Sequence, residues 1–288
     1  MRNLIKAIAV LVATLNVAFA DDFEEGHAIA KDGTRIYYRV YGNPDGPNVL
    51  MGPHFYASLR MTQLEDQGVI LKDPTDEWIN GLKDRYRLIL VDYPRGMGQT
   101  PNPIGIDMTP DRLVQEYELV ADAAGAYKFA WIGYSFGAAA GVQMATRSER
   151  LTALIAGGFP PLNAPFEQMT WVVKDMAKNL TEMAGVEISR KLANQSVGFY
   201  EPLTDWPERE KVAKIHIPRM VFMGSNDTGQ GLPEQYKTEL AEPIRQVETE
   251  LRDMGWEIHW ILGAGHLDAI KPERALSIVR TFLDRTFD

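Results

Sequence analysis

The chain has 288 residues, of which 45 % are hydrophobic and 24 % are charged, and these values are typical of a folded globular protein. Cysteine is absent, which excludes disulfide bonds, thiolate metal ligands and a cysteine nucleophile. The net charge of −9 argues against nucleic acid or an anionic membrane as a binding partner.

The first twenty residues have the pattern of a secretory signal peptide. Arg2 and Lys6 stand at the start of a nearly continuous apolar run from Ala7 to Val17, which is followed by a small-x-small triplet that ends at Ala20. A membrane-spanning helix needs about 20 apolar residues, and this run is shorter. We therefore expect cleavage after Ala20, export to the periplasm or the medium, and no stable membrane anchor. Residues 21–288 would form the mature protein.

Strands alternate with helices in the first half of the chain. Alternating apolar and polar residues on both sides of a Lys31-Asp32-Gly33 turn predict a β-hairpin over Gly26–Tyr41. Short apolar runs then predict strands at Asn48–Met51, Tyr86–Val91, Phe129–Ile132 and Leu151–Ala156. Between them, helices are predicted at Glu77–Lys83, at Thr109–Gly125 and from Ala138 onward. This alternation indicates a largely parallel sheet with helices on both faces.

The alternation stops between Phe159 and Ile217, where the sequence predicts helices only. Apolar side chains recur at helical spacing from Phe166 to Met183, which indicates an amphipathic helix. The alternation of strands and helices then resumes. Strands are predicted at Pro218–Met223 and Glu257–Leu262, and helices are predicted at about Glu234–Met254 and at Pro272–Phe287. We therefore expect one α/β domain that carries a helical insertion.

The pattern Gly133-Tyr134-Ser135-Phe136-Gly137 lies between a predicted strand and a predicted helix, which is the setting of a nucleophile elbow. The turn of such an elbow is so sharp that its serine takes a strained backbone conformation. We expect Gly133 and Gly137 to be required, because side chains there would collide with neighbouring backbone. The alternative is an ordinary tight turn with a solvent-facing serine.

Three predicted loops at the carboxyl ends of strands carry Ser135, Asp227 and His266, in that chain order. A serine hydroxyl is a poor nucleophile until a base removes its proton, and histidine can do so near neutral pH. A carboxylate can hold the imidazole in one tautomer and stabilise the imidazolium that forms. We therefore expect a catalytic triad, with Asp268 as the alternative acid. A packed loop histidine and a turn aspartate are the non-catalytic alternatives for His266 and Asp227.

Several motifs together give the chain a resemblance to a known superfamily. They are Asp92…Arg95-Gly96…Gly98 after the fourth strand, the elbow around Ser135, Gly224-Ser225-Asn226-Asp227 after the seventh strand, and Gly265-His266 after the eighth. From about Gly26 to its C-terminus the chain resembles the α/β-hydrolase superfamily. The resemblance implies a mostly parallel eight-stranded sheet with helices on both faces and a small helical cap at about residues 160–216. We expect Arg95 to form a structural ion pair and Asp92 to brace its loop.

The oxyanion of an acyl-transfer reaction needs backbone N–H donors. In an elbow the residue after the nucleophile, here Phe136, supplies one of them. The second should come from the loop after the third strand, where Pro53 has no N–H to donate. We expect Phe55 to be that donor, with His54 and Tyr56 as alternatives. The side chains expected near a substrate pocket are His54, Tyr56, Tyr134, Phe166, Met169, Trp171 and Met176, although a stripe of such residues in a helical insertion serves packing more often than substrate contact.

These residues predict a serine hydrolase that cleaves a small carboxylic ester through an acyl-enzyme on Ser135, which water activated by His266 then releases. No metal or organic cofactor is expected, because the sequence has no H-E-x-x-H motif, thiol cluster or nucleotide-binding loop. The same resemblance implies amidases, iminopeptidases, C–C bond hydrolases and acyltransferases as alternatives. Haloalkane dehalogenases and epoxide hydrolases carry aspartate at the nucleophile position, so Ser135 argues against both. A catalytically silent binding protein is the remaining alternative, and the oligomeric state is left open.

Overall fold

Eight strands of the described residues form a single, mostly parallel sheet. The computed structural model describes residues 23–53, 74–96, 98–102, 105, 107–179, 186–229 and 234–288. The strands are β1 (Phe23–Ile29), β2 (Arg35–Gly42), β3 (Asn48–Met51), β4 (Arg87–Val91), β5 (Phe129–Tyr134), β6 (Leu151–Gly157), β7 (Arg219–Gly224) and β8 (Glu257–Ile261). Their order in space is β1-β2-β4-β3-β5-β6-β7-β8. Strand β2 pairs antiparallel with β1 and β4, and the other pairs are parallel.

Helices cover both faces of this sheet. They are α1 (Thr75–Asn80), α2 (Pro110–Ala123), α3 (Phe136–Ala145), α4 (Phe166–Asn179), α5 (Val186–Tyr200), α6 (Glu208–Val212), α7 (Ala241–Asp253), α8 (His266–Ala269) and α9 (Pro272–Phe287). Helices α2, α3 and α7 share one hydrophobic core with alternate strand residues, and α1 and α9 share a second core with the residues in between. Because β5 and β7 are covered on both sides, every residue in them is buried. The predicted mostly parallel eight-stranded sheet with helices on both faces is confirmed.

One predicted helix starts at the wrong residue. The helix predicted at about Glu234–Met254 begins only at Ala241, and Glu234–Tyr236 form a separate 3₁₀ turn. Pro243 explains the later start, because proline is tolerated in the first turn of a helix and clashes with the preceding turn farther inside. A helix that began at Glu234 would have placed Pro243 in its third turn.

The described residues between β6 and β7 form helices joined by loops, and we call this stretch the helical insertion. Its described residues hold α4, α5, a 3₁₀ turn at Glu201–Leu203 and α6, within the range predicted for the cap. Helices α4 and α5 pack against each other. The hydroxyl of Tyr236 donates to Oδ2 of Asp175 at 2.6 Å, which ties α4 to the connection between β7 and α7. The insertion therefore contacts the connection that also carries Asp227.

The predicted signal peptide, residues 1–20, lies outside the described residues. Its cleavage after Ala20, the extent of the mature protein over 21–288 and export all stay predictions. Within the described ranges, each helix is too short or too polar to cross a membrane.

Candidate active site

Ser135 lies between β5 and α3 with an unusual backbone conformation. Its φ and ψ angles are +54° and −118°, in a region that costs a non-glycine residue about 1–3 kcal/mol. From the strand side, the N–H of Ser135 donates to the carbonyl oxygen of Gly157 on β6 at 2.7 Å. From the helix side, the N–H groups of Ala138 and Ala139 donate to the carbonyl oxygen of Ser135 at 2.9 and 3.1 Å. The serine thus occupies a strained strand-to-helix turn, as the sequence pattern predicts.

The two glycines of this turn differ in how much space a Cβ atom would have. A Cβ atom on Gly133 would lie 2.1 Å from the carbonyl oxygen of Gly137, so only glycine allows this close approach of strand and helix. A Cβ atom on Gly137 would meet its nearest described neighbour, Cδ of Pro53, at 3.5 Å, which is an ordinary contact. The expectation that both glycines are required is wrong for Gly137. The distances to its described neighbours Gly52 and Pro53 leave enough space for a Cβ atom.

His266 connects the serine to the aspartate. Its Nε2 lies 3.0 Å from Oγ of Ser135, and its Nδ1 lies 2.8 Å from Oδ2 of Asp227. With the proton on Nδ1 directed at the carboxylate, Nε2 is left to accept the serine proton. The loops after β7 and β8 can approach this closely because Gly224 has no side chain, and a Cβ atom there would lie 2.5 Å from the carbonyl oxygen of Ala264. The structure brings the three predicted residues together.

Backbone contacts orient Asp227. The N–H of Gly229 donates to Oδ1 at 3.0 Å, while Oδ2 faces His266. The carbonyl oxygen of Asp227 accepts the N–H groups of Leu240 and Ala241 at 3.1 and 3.0 Å, where α7 begins. The Asp227 side chain is fully buried and that of His266 is 12 % exposed, so water competes little for the bond between them. The carboxylate is therefore held in place before any substrate arrives.

Asp268, the alternative acid, has other partners. Its carboxylate forms ion pairs with Lys271 at 2.7 Å and with Arg274 at 3.1 Å. The hydrogen bond from Lys271 holds the pKa of Asp268 below its usual value. Asp227 is the acid that the geometry selects.

The predicted oxyanion donors are placed only in part. Phe136 is the first residue of α3, so its N–H belongs to the first-turn donors that have no acceptor within the helix. Phe55, His54 and Tyr56 fall in the range 54–73, which lies outside the described residues. The second donor therefore stays a prediction, as do the pocket roles of His54 and Tyr56.

Tyr134 does not line a substrate pocket, and that expectation is wrong. Its side chain is only 2 % exposed and lies in the core beneath the sheet. The hydroxyl donates to the backbone carbonyl oxygen of His266 at 2.5 Å. Burial raises the pKa of Tyr134 far above its usual value, which keeps the phenol protonated as a donor. Strand alternation explains the outcome, because Tyr134 points to the face of the sheet opposite to its neighbours along the strand.

The pocket residues predicted on α4 divide into two groups. Phe166 is buried and Met169 is half-buried, and both pack on the core that α2 and α3 share. Trp171 is 49 % exposed, with its ring 6.2 Å from that of Tyr236. Met176 is half-buried. Packing accounts for Phe166 and Met169, and substrate contact stays a prediction for all four.

A group of aromatic side chains that the sequence does not predict lies beside Ser135. The ring of Phe136 is 4.9 Å from that of Phe199 and 6.3 Å from that of Tyr200, both at the end of α5. Phe159 and Phe166 extend the group, at 6.3 and 6.5 Å from Tyr200. Helical periodicity could identify apolar faces in the insertion, but it could not show which helix end reaches the elbow. These five rings, Phe136, Phe159, Phe166, Phe199 and Tyr200, are called the aromatic wall below.

A separate cleft of about 640 Å³ lies within the helical insertion. It is bordered by residues 163–168 and by Leu203, Thr204, Trp206 and Glu208, and none of these described lining residues belongs to the triad. Both carboxylate oxygens of Glu208 accept backbone N–H groups, from Asn163 at 2.8 Å and Ala164 at 3.0 Å. This carboxylate therefore fastens the start of the insertion.

The motif after β4 is structural, as predicted. Arg95 is buried and forms ion pairs with Asp32 at 2.5 Å and Glu116 at 2.6 Å. Asp92 accepts hydrogen bonds from Tyr93 and Thr100. These contacts join the β1–β2 hairpin, the loop after β4 and helix α2.

Within the described ranges, no group of three His, Asp or Glu side chains is placed to hold a metal ion. The absence of a cofactor stays a prediction.

Known proteins share this architecture. The model of the alpha/beta hydrolase family matches residues 71–277, whereas no characterised protein matches the chain in a search of curated sequences. A serine hydrolase involved in carbazole degradation shares 20 % identity at a TM-score of 0.59, with 91 % of this chain and 99 % of that chain covered. An esterase from Pyrococcus furiosus shares 14 % identity at a TM-score of 0.62, with 92 % and 91 % covered. An epoxide hydrolase from hot-environment metagenomes shares 17 % identity at a TM-score of 0.59, with 92 % and 99 % covered. These structural similarities show a common fold. Because the family model matches most of the length of the chain, the chain belongs to the alpha/beta hydrolase family.

Proposed function

We propose that this protein is an exported serine hydrolase that cleaves small carboxylic esters through an acyl-enzyme on Ser135. Membership of the family makes it a hydrolase, and the proposal adds the nucleophile, the bond and the location. The observation that carries it is the continuous hydrogen-bond chain from Ser135 Oγ through the His266 imidazole to Asp227 Oδ2.

The proposed reaction has two halves. In the first, His266 Nε2 takes the proton of Ser135 as Oγ attacks the ester carbonyl, and it then gives that proton to the departing alcohol. In the second, a water molecule loses a proton to Nε2 and attacks the acyl-enzyme, and the proton returns to Ser135 Oγ as the acid leaves. Asp227 stabilises the imidazolium in both halves. The N–H groups of Phe136 and Phe55 would bind the oxyanion, and the loss of one such donor costs about 3–4 kcal/mol.

The aromatic side chains packed around Phe136 favour an apolar substrate. The aromatic wall places the rings of Phe199 and Tyr200 next to Phe136, the residue that follows the nucleophile. Phe199 and Tyr200 are buried and pack behind Phe136, whose half-buried ring is the apolar surface that we expect a substrate to meet. A serine at the nucleophile position also argues against epoxide hydrolysis, although one structural neighbour is an epoxide hydrolase.

A fluorophosphonate probe and a series of p-nitrophenyl esters test the proposal together. We expect the probe to label the wild type and Ser148→Ala, and to leave Ser135→Ala unlabelled. Ser148 is a matched control because its hydroxyl donates to the carboxylate of Glu118 at 2.5 Å, whereas that of Ser135 faces the ring of His266. We expect turnover to be highest with short acyl chains.

Two results would count against this reading. Equal labelling of Ser135→Ala and the wild type would remove Ser135 as the nucleophile. Labelling of Ser135 without turnover of any ester would reject the ester substrate and favour an amide or a C–C bond. Sequencing of the N-terminus of the exported protein tests cleavage after Ala20.

A further inference from the structure

Tyr134 connects the strand of the nucleophile to the loop of the base. Its backbone directly precedes Ser135, while its hydroxyl donates to the backbone carbonyl oxygen of His266 at 2.5 Å. The phenol and imidazole rings are 5.2 Å apart, with 45° between their planes. One side chain therefore links the end of β5, over Gly157 and Gly158 at the end of β6, to the backbone of His266.

Two glycines provide the path for this side chain. A Cβ atom on Gly157 would lie 2.6 Å from Cδ2 of Tyr134, and one on Gly158 would lie 2.4 Å from its Cζ. Gly157 pairs with Tyr134 in the sheet, so the ring packs over a position of the neighbouring strand that has no side chain. The ring of Phe222 on β7 packs against it at 5.7 Å. The absence of side chains at Gly157 and Gly158 thus leaves the space through which Tyr134 reaches His266.

The helix that begins at His266 needs support from outside. Helix α8 has four residues, and so short a helix has little stability of its own. Two side chains hold its ends, since the Tyr134 hydroxyl bonds to the carbonyl of His266 and Nε1 of Trp78 donates to the carbonyl of Ile270 at 2.9 Å. The Tyr134 bond acts on the backbone of the residue whose imidazole must meet both Ser135 and Asp227.

We propose that the Tyr134 hydroxyl is a positioning group that holds the His266 backbone so that its imidazole bridges Asp227 and Ser135. The role rests on the proposed function, and in it the Tyr134 hydroxyl acts through the backbone of His266. Because the same residue fixes the start of the elbow and the base loop, it sets the distance between nucleophile and base. Geometric errors of about 1 Å can cost on the order of 100-fold in rate.

Tyr134→Phe removes one oxygen atom and tests this role. We expect kcat for the best ester to fall by about 10- to 100-fold with little change in KM, because substrate binding is untouched while the base is misplaced. We also expect the low-field proton signal of the His266–Asp227 hydrogen bond to shift or broaden. A merely structural loss would lower the melting temperature and leave both readouts unchanged.

Tyr117→Phe is the matched control. Tyr117 is also buried, and its hydroxyl donates to a backbone carbonyl, that of Asp92, at 3.2 Å. We expect Tyr117→Phe to retain wild-type kcat and the low-field signal. A second variant, Phe222→Leu, loosens the packing of the Tyr134 ring but keeps its hydroxyl, and we expect it to lose less than about threefold in kcat.

The outcomes separate this proposal from the function on which it rests. Wild-type kcat and an unchanged signal in Tyr134→Phe would overturn the positioning role, even with Ser135→Ala inactive. A loss in Phe222→Leu as large as that in Tyr134→Phe would assign the effect to packing and overturn it as well. Full ester turnover by Ser135→Ala would instead refute the proposed function itself.

Discussion

Asp227 and Asp92 are two buried aspartates that each follow a parallel strand of the same sheet. Both carboxylates accept backbone N–H groups. In Asp92, Oδ1 accepts the N–H of Tyr93 at 2.8 Å, and Oδ2 accepts both the N–H and the hydroxyl of Thr100 at 2.7 Å. In Asp227, the N–H of Gly229 binds Oδ1 and the other oxygen faces His266.

The difference between the two shows what separates a candidate catalytic acid from a structural one. Burial and a position after a strand are common to both. The backbone engages both oxygens of Asp92, so its loop is braced and the carboxylate has no oxygen directed at a base. Only Asp227 combines a backbone anchor with an oxygen aimed at an imidazole.

The largest expected effect comes from exchanging each aspartate for its amide. In Asp227→Asn the amide would favour the wrong imidazole tautomer, and we expect kcat to fall by about 10³- to 10⁴-fold in a folded protein. In Asp92→Asn we expect kcat per folded molecule to change by less than about threefold, because neither oxygen reaches His266. Ester turnover normalised to active-site titration measures both.

Asp268→Asn is a second control, since its carboxylate pairs with Lys271 and Arg274. A loss in Asp92→Asn or Asp268→Asn comparable to that in Asp227→Asn would erase the distinction between the aspartates. Circular dichroism of each variant would show whether a lost activity reflects unfolding.

An effect of intermediate size is expected from substituting the two glycines of the elbow, which differ in the space around them. Gly133→Ala would force Cβ against the carbonyl oxygen of Gly137, and we expect a loss of stability of about 1–3 kcal/mol or more. Gly137→Ala meets only ordinary contacts in the first turn of α3, and alanine favours a helix by up to about 1 kcal/mol over glycine. Urea unfolding of both variants measures the difference, and equal losses would contradict the assigned geometry.

The smallest expected effect concerns the ion pairs of the loop after β4. Arg95 holds the pKa of Asp32 well below its usual range, so the ionised carboxylate stabilises the folded state. This contribution is complete above about pH 4, the ordinary pKa of aspartate, and is lost as the pH falls through the lower folded-state pKa. We expect Asp32→Asn to melt at a lower temperature than the wild type at pH 7, and the gap to narrow below about pH 4. A gap that stayed constant down to pH 3 would contradict this assignment.

Much of the fold could be predicted from local patterns. Buried parallel strands such as β5 and β7 appear as continuous apolar runs, and the hairpin appears as alternation around a turn. The predicted start of α7 is too early, because helical periodicity takes no account of Pro243. The ends of these apolar runs also predict where the strands end. The predicted loops that follow carry Ser135, Asp227 and His266.

Other features depend on contacts between distant residues, which a single sequence does not contain. Tyr134 was predicted near substrate because it neighbours Ser135, but its direction is set by the pleat and by the space over Gly157. Nothing local to Asp92 or Asp227 shows which of their oxygens are already engaged. The aromatic wall likewise depends on where the end of α5 docks.

The bond between Ser135 and His266 joins residues that are 131 positions apart in the chain. Closing so large a loop carries an entropic cost that local contacts do not, so distant pairings form late in folding. Helix α3 can form among neighbouring residues, whereas β8 can pair with β7 only once the two strands have been brought together across α7. A refolding chain would therefore regain helical circular dichroism before it regains reactivity toward the fluorophosphonate. We therefore expect the reactivity of Ser135 to return only at the final stage of folding.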